Sequence, residues 1–208
     1  MYAPEPFNFT DVDTAVLLID EIVMGTLLVG GDKIEGSPVP FMARVDSDGT
    51  LCLVGHMDRA NPLWQRMEDH GQVIVIFWGP NSYISPSYYT SKPRVPTWAY
   101  ATVHVTGRPQ LIEDANGVDK IVSDLSRFLE QEGSAWHISQ VEEYKEKLLK
   151  AIVGFEIKAS DFQSQVRLLQ TNTDADRKAV FSSLIQGSPA ERHVANMMIK
   201  MKMAVGNQ

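Results

Sequence analysis

The sequence predicts an α+β fold, with an antiparallel β-barrel in its first half and mainly helices in its second half. Residues 98–106 alternate between small apolar side chains and larger aromatic or hydrogen-bonding ones, which is the period of a β-strand. Other short apolar segments are separated by turn-forming residues such as Asp46–Gly49. Short strands joined by hairpins favour a closed barrel, because closure removes exposed edges.

Caps, turns and apolar periodicity predict the elements of the first half. Asn61 and Pro62 open a short helix, and Glu35–Ser37 reads as a turn between two strands. The unbroken apolar run at Val73–Phe77 predicts a strand buried on both faces. The predicted helices are Asp11–Ile22 and Leu63–Asp69, and the predicted strands are Met24–Val29, Val39–Val45, Thr50–Gly55, Val73–Phe77, Tyr83–Ser85 and Trp98–Thr106.

The second half has helical periodicity with two return strands. Ser139–Glu142 and Ser188–Glu191 both have the form of a capping box that starts a helix. The last helix has an apolar stripe, which favours packing on the barrel or on a partner subunit over helix-turn-helix contact with DNA. The predicted helices are Asp114–Glu132, one beginning at Ser139, Asp174–Leu184 and Ala190–Met203, and the predicted strands are Val153–Ile157 and Gln165–Gln170.

Composition limits the classes of function. The net charge of −7 argues against a generally basic nucleic-acid surface. The single cysteine, Cys52, lies in an apolar run and reads as a buried structural thiol. The sequence shows neither a secretory signal nor an apolar run approaching the ~20 residues of a membrane span. We therefore expect a cytoplasmic protein without membrane association.

Common catalytic signatures are absent from the sequence. The five histidines lack the short spacing of metal ligands, so no metal site is predicted. There is no glycine-rich nucleotide loop and no local signature of a serine or cysteine nucleophile. No catalytic residue is assigned, and the question of enzymatic activity stays open.

Three sequence blocks together carry a family resemblance. They are Gly55–Trp64 (GHMDRANPLW), Gly79-Pro80 followed by Tyr83–Ser87 (YISPS), and Val95–Val105 (VPTWAYATVHV). With the chain start and Ile152–Ile157, they follow the order of the PaiB family, described as FMN-binding negative transcriptional regulators. The chain resembles this family over most of its length.

The resemblance implies a split antiparallel β-barrel with flanking and C-terminal helices. It also implies a homodimer that binds FMN near the subunit interface. On this basis residues 1–165, including the helices of 114–150, are expected to form the FMN-binding domain. Residues 166–208 are expected to form a helical extension that packs on the barrel or on the partner subunit.

An FMN site needs cations or amide donors for the phosphate, partners for the ring edge and aromatic cover for the ring. Arg59 precedes a capped helix, so its guanidinium and the helix start suit a phosphate. The candidate cofactor-binding residues are His56, Arg59, Asn61, Tyr83, Ser85, Trp98, Tyr100, His104, Arg167 and Gln170.

Each candidate also has a structural interpretation. Arg59 fits a solvated turn arginine, His56 a satisfied strand-end histidine and Asn61 a helix cap. The aromatic face of residues 98–104 fits a packed dimer interface as well as a ring cover. Arg44, on a predicted barrel strand, either supplies a missing positive charge or extends to the surface.

Several positions depart from the family pattern. Tyr88 stands where the family usually has Trp, and Ala99 where it usually has Asn. Two alternatives to a flavin-binding regulator therefore stay open. One is a flavin-dependent oxidoreductase acting on a small molecule, and the other is a structural or regulatory dimer without flavin, with DNA as a further candidate partner.

Overall fold

The computed structural model describes residues 1–130 and 134–204. Within these residues the chain forms seven β-strands and six α-helices. The strands are β1 (Asn8–Phe9), β2 (Met24–Val29), β3 (Glu35–Val45), β4 (Leu51–Asp58), β5 (Val73–Ile84), β6 (Thr97–Ile112) and β7 (Ile152–Arg167). The helices are α1 (Val12–Ile22), α2 (Leu63–His70), α3 (Ala115–Leu129), α4 (Glu142–Leu149), α5 (Asp174–Ile185) and α6 (Pro189–Lys200).

The strands form one sheet with the order β1-β7-β4-β3-β2-β5-β6. β6 also pairs with β7, so six strands close on themselves, and β1 adds antiparallel to β7. The predicted α+β class with an antiparallel barrel is confirmed. No helix in the described ranges combines the length and the apolarity needed to cross a bilayer.

The chain comprises two compact units. Unit 1 consists of residues 1–10, 78–102 and 163–208, and unit 2 consists of residues 11–77 and 103–162. β5, β6 and β7 therefore each contribute to both units. The sequence analysis expected a division into residues 1–165 and 166–208. That division differs from these two units and stays a prediction.

The core of unit 2 is built around three phenylalanine rings. Phe41 makes edge-to-face contacts with Phe77 and Phe155, at centroid distances of 5.5 and 6.0 Å. Gly25 on β2 faces this cluster, and a Cβ there would lie 2.6 Å from Val75. A glycine is needed at this position because the aromatic core approaches the backbone so closely.

The core of unit 1 includes buried residues of β6 and of the C-terminal helices. Ala99 and Ala101 of β6 are fully buried, as the alternation of residues 98–106 predicted. The apolar stripe of α6 is buried as well, with Val194 and Met198 fully covered. The apolar stripe of the last helix is therefore buried within unit 1, and its predicted packing on the barrel or on a partner subunit stays a prediction.

Several strands are longer than predicted. Glu35–Ser37 belongs to β3 and pairs with β2, so the predicted turn is wrong. β5 joins two predicted strands, and Gly79-Pro80 does not interrupt it. Its side chains alternate between buried Val75 and partly exposed Ile76, so the predicted burial of both faces is also wrong. Pairing with neighbouring strands overrides the local turn signals in both cases.

The sequence analysis also predicted strand β7 incorrectly as two separate segments. β7 is continuous from Ile152 to Arg167, so it includes much of what was predicted as a separate extended segment at Gln165–Gln170. β4 continues to Asp58 rather than ending at Gly55, because residues 52–58 pair with β7. The predicted strand end at His56 is therefore wrong, and its side chain lies within β4.

Helix starts were predicted better than helix ends. The capping box at Ser188 is present, and Asp11 caps α1 through the backbone N–H of Thr14 at 2.8 Å. The predicted box at Ser139–Glu142 is wrong, since a 3₁₀ turn precedes α4 and no described side chain caps it. α6 ends at Lys200 rather than Met203, and the predicted helix end at Glu132 lies outside the described residues.

Candidate functional site

Arg59 lies where β4 of unit 2 leads into α2. Its backbone N–H donates to the carbonyl of Ala151 at 2.7 Å. Its Nη1 donates to Glu113 Oε2 at 2.7 Å, and its Nη2 donates to the carbonyl of Ile152 at 3.3 Å. The guanidinium also lies 5.8 Å from the ring centroid of Trp64. With 37% of its side chain exposed, Arg59 is a positioned cation that solvent still reaches.

Asn61 acts as a structural residue at the start of α2. Its Oδ1 accepts from the backbone N–H of Leu63 at 3.0 Å, and its Nδ2 donates to Ser37 Oγ at 3.2 Å. Trp64 Nε1 donates to the carbonyl of Arg59 at 3.0 Å. These contacts fix the turn that presents Arg59, so the capping interpretation of Asn61 describes its geometry.

His56 is half-buried on β4, three residues before Arg59. Burial lowers the pKa of His56, so the imidazole is neutral at neutral pH. Its Nδ1 is buried without a hydrogen-bond partner among the residues that the structure describes. An unpaired polar atom of this kind is costly to bury and is one of the features that marks a site.

A cavity of about 530 Å³ adjoins Arg59 in unit 2. Lys145 Nζ lies 2.6 Å from Asp119 Oδ1 and 2.8 Å from Glu142 Oε1, and these hydrogen bonds raise the pKa of Lys145. The charged residues of the wall are Arg59, Lys145, Lys150, Glu113, Asp119, Glu142 and Glu146. Carboxylates outnumber cations there, and two of the three cations, Arg59 and Lys145, are paired with carboxylates.

Four side chains in unit 1, which we call the aromatic row, lie on β5 and β6. Trp78 stacks on Tyr100 at 5.5 Å and 21°, and Tyr83 contacts Trp98 edge-on at 6.2 Å. Trp98 Nε1 donates to Asn81 Oδ1 at 3.3 Å. Trp78, Trp98 and Tyr83 are 56, 49 and 46% exposed. The row therefore consists of one stacked and one edge-to-face pair of rings, and unit 1 leaves it partly exposed.

Three other candidates in unit 1 are engaged locally. Ser85 Oγ caps a 3₁₀ turn by accepting from the backbone N–H of Ser87 at 3.2 Å. Gln170 Oε1 accepts from the backbone N–H of Leu168 at 2.8 Å, and its Nε2 donates to a backbone carbonyl at 2.6 Å. Arg167 lies over the ring of Phe7 at 4.6 Å. These contacts give each side chain a structural role.

The structure brings the predicted residues together in two separate groups. His56, Arg59 and Asn61 share the passage from β4 to α2 in unit 2. His104, also in unit 2, is half-buried on β6, and burial lowers its pKa. Tyr83, Trp98 and Tyr100 are neighbours in the aromatic row of unit 1.

Sequence reasoning missed a buried carboxylate in unit 1. Asp176, near the start of α5, is fully buried and accepts hydrogen bonds from the backbone and side chains of Thr90 and Ser91. The guanidinium of Arg94 also donates to it. Hydrogen bonds from Ser91 and Thr90, with Arg94, hold the pKa of Asp176 far below its usual range. The available signal was a cluster of donors, Thr90, Ser91 and Arg94, in a proline-rich loop.

Arg44 forms a structural ion pair in unit 2. Its Nη1 and Nη2 donate to the two carboxylate oxygens of Glu156 at 2.7 and 2.9 Å, and its Nε donates to Asp46 at 3.2 Å. This bidentate pair on the barrel surface uses the fork of the guanidinium. Of the two interpretations of Arg44, extension to the surface therefore describes its position.

The described residues combine a closed antiparallel barrel with a partly exposed arginine, Arg59, and an uncovered aromatic row. Residues 1–161 match the family described as "Putative FMN-binding domain", and the chain belongs to this family. The resemblance inferred from the three sequence blocks is thereby confirmed.

Two relatives align along most of the chain. "Protease synthase and sporulation protein PAI 2" of Bacillus subtilis is 28% identical over 203 residues, covering 95% of this chain and 96% of the relative. An uncharacterised protein of Emericella nidulans is 30% identical over 203 residues, covering 79% of this chain and 81% of the relative.

Two solved structures share the fold. The flavocytochrome Anf3 from Azotobacter vinelandii superposes with a TM-score of 0.58 at 13% identity, covering 77% of this chain and 69% of that chain. The FAD and heme binding protein from Mycobacterium smegmatis gives a TM-score of 0.54 at 17% identity, covering 77% of this chain and 73% of that chain. At these identities the likeness shows the fold alone.

FMN is the cofactor that family membership assigns, and the residues present fit it. Arg59 offers a phosphate a guanidinium that its backbone contacts hold in place. Taken by itself, unit 1 exposes the aromatic rings, the hydroxyl groups and the indole edges of the aromatic row, which are groups that an aromatic ligand or a protein surface can contact. The departure at Ala99 does not touch this surface, because Ala99 is fully buried in the core.

Proposed function

We propose that this protein is a homodimeric FMN-binding protein whose flavin lies near the subunit interface. In unit 2, Arg59 binds the phosphate of the cofactor. The aromatic row of unit 1 is a separate part of the proposal and contacts a flavin ring or the partner subunit. Bound FMN supplies electron-transfer chemistry. The chain itself supplies the phosphate partner, the ring cover and exclusion of water.

The exposure of the aromatic row carries this proposal. Two tryptophans and a tyrosine on β5 and β6 are about half exposed, so large aromatic rings of unit 1 stand in water. Aromatic residues are enriched at the centres of protein interfaces and in ligand pockets, because burial of their large rings is strongly favourable. A second subunit or a flavin ring provides that burial, whereas the opposite face of β6 is already packed.

Arg59 supports the phosphate assignment through its preorganisation. Its backbone N–H and its Nη2 are both held by carbonyls that flank the start of β7, at 2.7 and 3.3 Å. The side chain therefore loses little freedom when an anion binds, and a guanidinium pairs with phosphate oxygens in two parallel hydrogen bonds. His56, neutral on the same strand, is proposed as a partner for an uncharged polar group of the cofactor.

The remaining candidates have supporting roles in this proposal. Asn61 positions Arg59 by capping α2, and Ser85 and Gln170 shape the loops of unit 1. We propose His104 and Arg167 as further partners near the cofactor, and residues 166–208 as a helical extension to the flavin domain. A cytoplasmic location is part of the same proposal.

A regulatory role is the second candidate function. The relative named for protease synthesis and sporulation aligns with 95% of this chain, so the two sequences correspond over almost their whole length. The apolar stripe of α6 is already buried within unit 1, which argues against insertion of that face of α6 into DNA.

The proposal is tested by isolating the protein and recording its visible spectrum, followed by titration of the apo form with FMN. Quenching of flavin fluorescence that saturates at roughly micromolar protein supports the proposal. Sedimentation velocity of the same sample should show a dimer. Absence of quenching, or a monomer at all concentrations, would refute the corresponding part. A gel shift that weakens with salt would instead favour direct DNA contact.

A further inference from the structure

We propose that Glu113 occupies the anion-binding edge of Arg59 and competes with the phosphate of FMN. Glu113 then sets the affinity for FMN and the discrimination between FMN and riboflavin, which lacks the phosphate. This inference rests on the proposed role of Arg59 as the phosphate partner.

The geometry makes Glu113 a substitute for phosphate. Its Oε2 accepts from Arg59 Nη1 at 2.7 Å, within the range of a charge-assisted hydrogen bond. A guanidinium binds carboxylate and phosphate through the same fork, so one edge cannot serve both groups at once. FMN therefore has to displace Glu113 before its phosphate reaches that edge.

The contact is suited to exchange. The side chain of Glu113 is 50% exposed and lies between the end of β6 and the start of α3. Ion pairs at the surface contribute little to stability, because water solvates both partners well. Arg59 keeps its contacts with Ile152 and Trp64 when Glu113 leaves, so the cation stays in position.

Glu146 provides a matched control. It is exposed and lines the same cavity as Glu113, so its replacement removes an equal charge from the same surroundings. In the part of the chain that the structure describes, Glu146 forms no hydrogen bond with Arg59. The pair of variants separates direct competition from the general negative field of the cavity.

The experiment titrates FMN and riboflavin into the wild-type protein, Glu113→Gln and Glu146→Gln, and follows quenching of flavin fluorescence. Glu113→Gln should bind FMN about threefold to tenfold more tightly, since the competing charge is gone. Its affinity for riboflavin should stay within about twofold of wild type, and Glu146→Gln should change FMN affinity by less than about twofold. Thermal unfolding of each apo protein verifies that the variants are folded.

Each outcome decides the inference. An equal gain for FMN and riboflavin, or an equal gain in the two variants, overturns it. If wild type binds FMN and Glu113→Gln binds no more tightly, this inference fails while the proposed function stands. If wild type does not bind and Glu113→Gln does, the competition is supported. If neither protein binds FMN, both proposals fail together.

Discussion

Two arginine–carboxylate pairs show how differently the two units use charge. In unit 1, Arg94 meets Asp176, which is fully buried and accepts four further hydrogen bonds from Thr90 and Ser91. In unit 2, Arg59 meets Glu113, which is half exposed, and solvent reaches both side chains.

The difference separates a structural anchor from an available site. A buried carboxylate surrounded by donors fixes the proline-rich loop to α5, and it cannot exchange its partners without exposing an unpaired charge. The Arg59–Glu113 pair exchanges partners at little cost, because water solvates both groups. The aromatic row is also available for binding, because unit 1 leaves its rings partly exposed to another molecule.

The largest expected effect is a loss of thermal stability when the buried Arg94–Asp176 pair is broken. Asp176→Asn removes the charge that Arg94 and the loop donors surround, so we expect the midpoint of thermal unfolding to fall by about 10 °C. Circular dichroism measures the midpoint. Asp174→Asn is the control, because Asp174 is exposed in the first turn of the same helix. Similar shifts in both variants would show that the anchor is no stronger than a surface pair.

The second-largest expected effect is weaker dimerisation when a residue of the aromatic row is replaced. Trp78→Ala removes an exposed indole that stacks on Tyr100, and a central interface tryptophan contributes about 2 kcal/mol, or roughly 30-fold in dissociation constant. Sedimentation velocity over a dilution series measures this constant. Trp136→Ala, which removes an exposed indole of unit 2, should leave it unchanged. Equal effects of both variants would exclude the row as the specific contact.

Replacing Arg59 in the exposed Arg59–Glu113 pair should change the affinity for FMN rather than the stability of the protein. Arg59→Gln should weaken FMN binding about tenfold and should leave riboflavin binding unchanged. A charge-assisted hydrogen bond contributes about 1.5–3 kcal/mol, and a partly solvent-exposed one lies at the lower end of that range. Flavin fluorescence reports both affinities. Arg44→Gln removes another surface guanidinium paired with a carboxylate and should leave FMN binding intact. If both variants weaken binding alike, net charge rather than Arg59 attracts FMN.

The smallest expected effect is a pH dependence from His56. Burial lowers the folded-state pKa of His56, so below its ordinary pKa the unfolded chain binds a proton that the folded chain does not. The free energy of unfolding should therefore fall as pH decreases from neutral towards 5. Urea unfolding should show a shallower fall for His56→Gln than for exposed His193→Gln. An unchanged slope in His56→Gln would assign the pH dependence to other groups.

Local signals predicted the fold well where they acted alone. The alternation of residues 98–106 identified the buried face of β6, and Ser188–Glu191 identified the start of α6. The prediction failed where pairing with a neighbour decided the outcome. Glu35–Ser37 has turn-forming residues, but β2 offers it hydrogen-bond partners, so it extends β3.

The site could be predicted in part for a similar reason. Arg59, Tyr83, Trp98 and Tyr100 were proposed from residue type and position in the sequence, and their role in a site stays a prediction. Trp78, which stacks on Tyr100, was not proposed. Asp176 was not, since its donors Thr90 and Ser91 lie 86 and 85 residues away along the chain. The local roles of Gln170 and Arg167 also depend on contacts that no spacing rule states.

Titration of the wild-type apo protein with FMN, with riboflavin in parallel, tests the central claim most directly. The account predicts saturable quenching near equimolar flavin and a tighter complex with FMN than with riboflavin, because Arg59 binds the phosphate. Equal affinity for the two flavins, or no quenching by either, would contradict it.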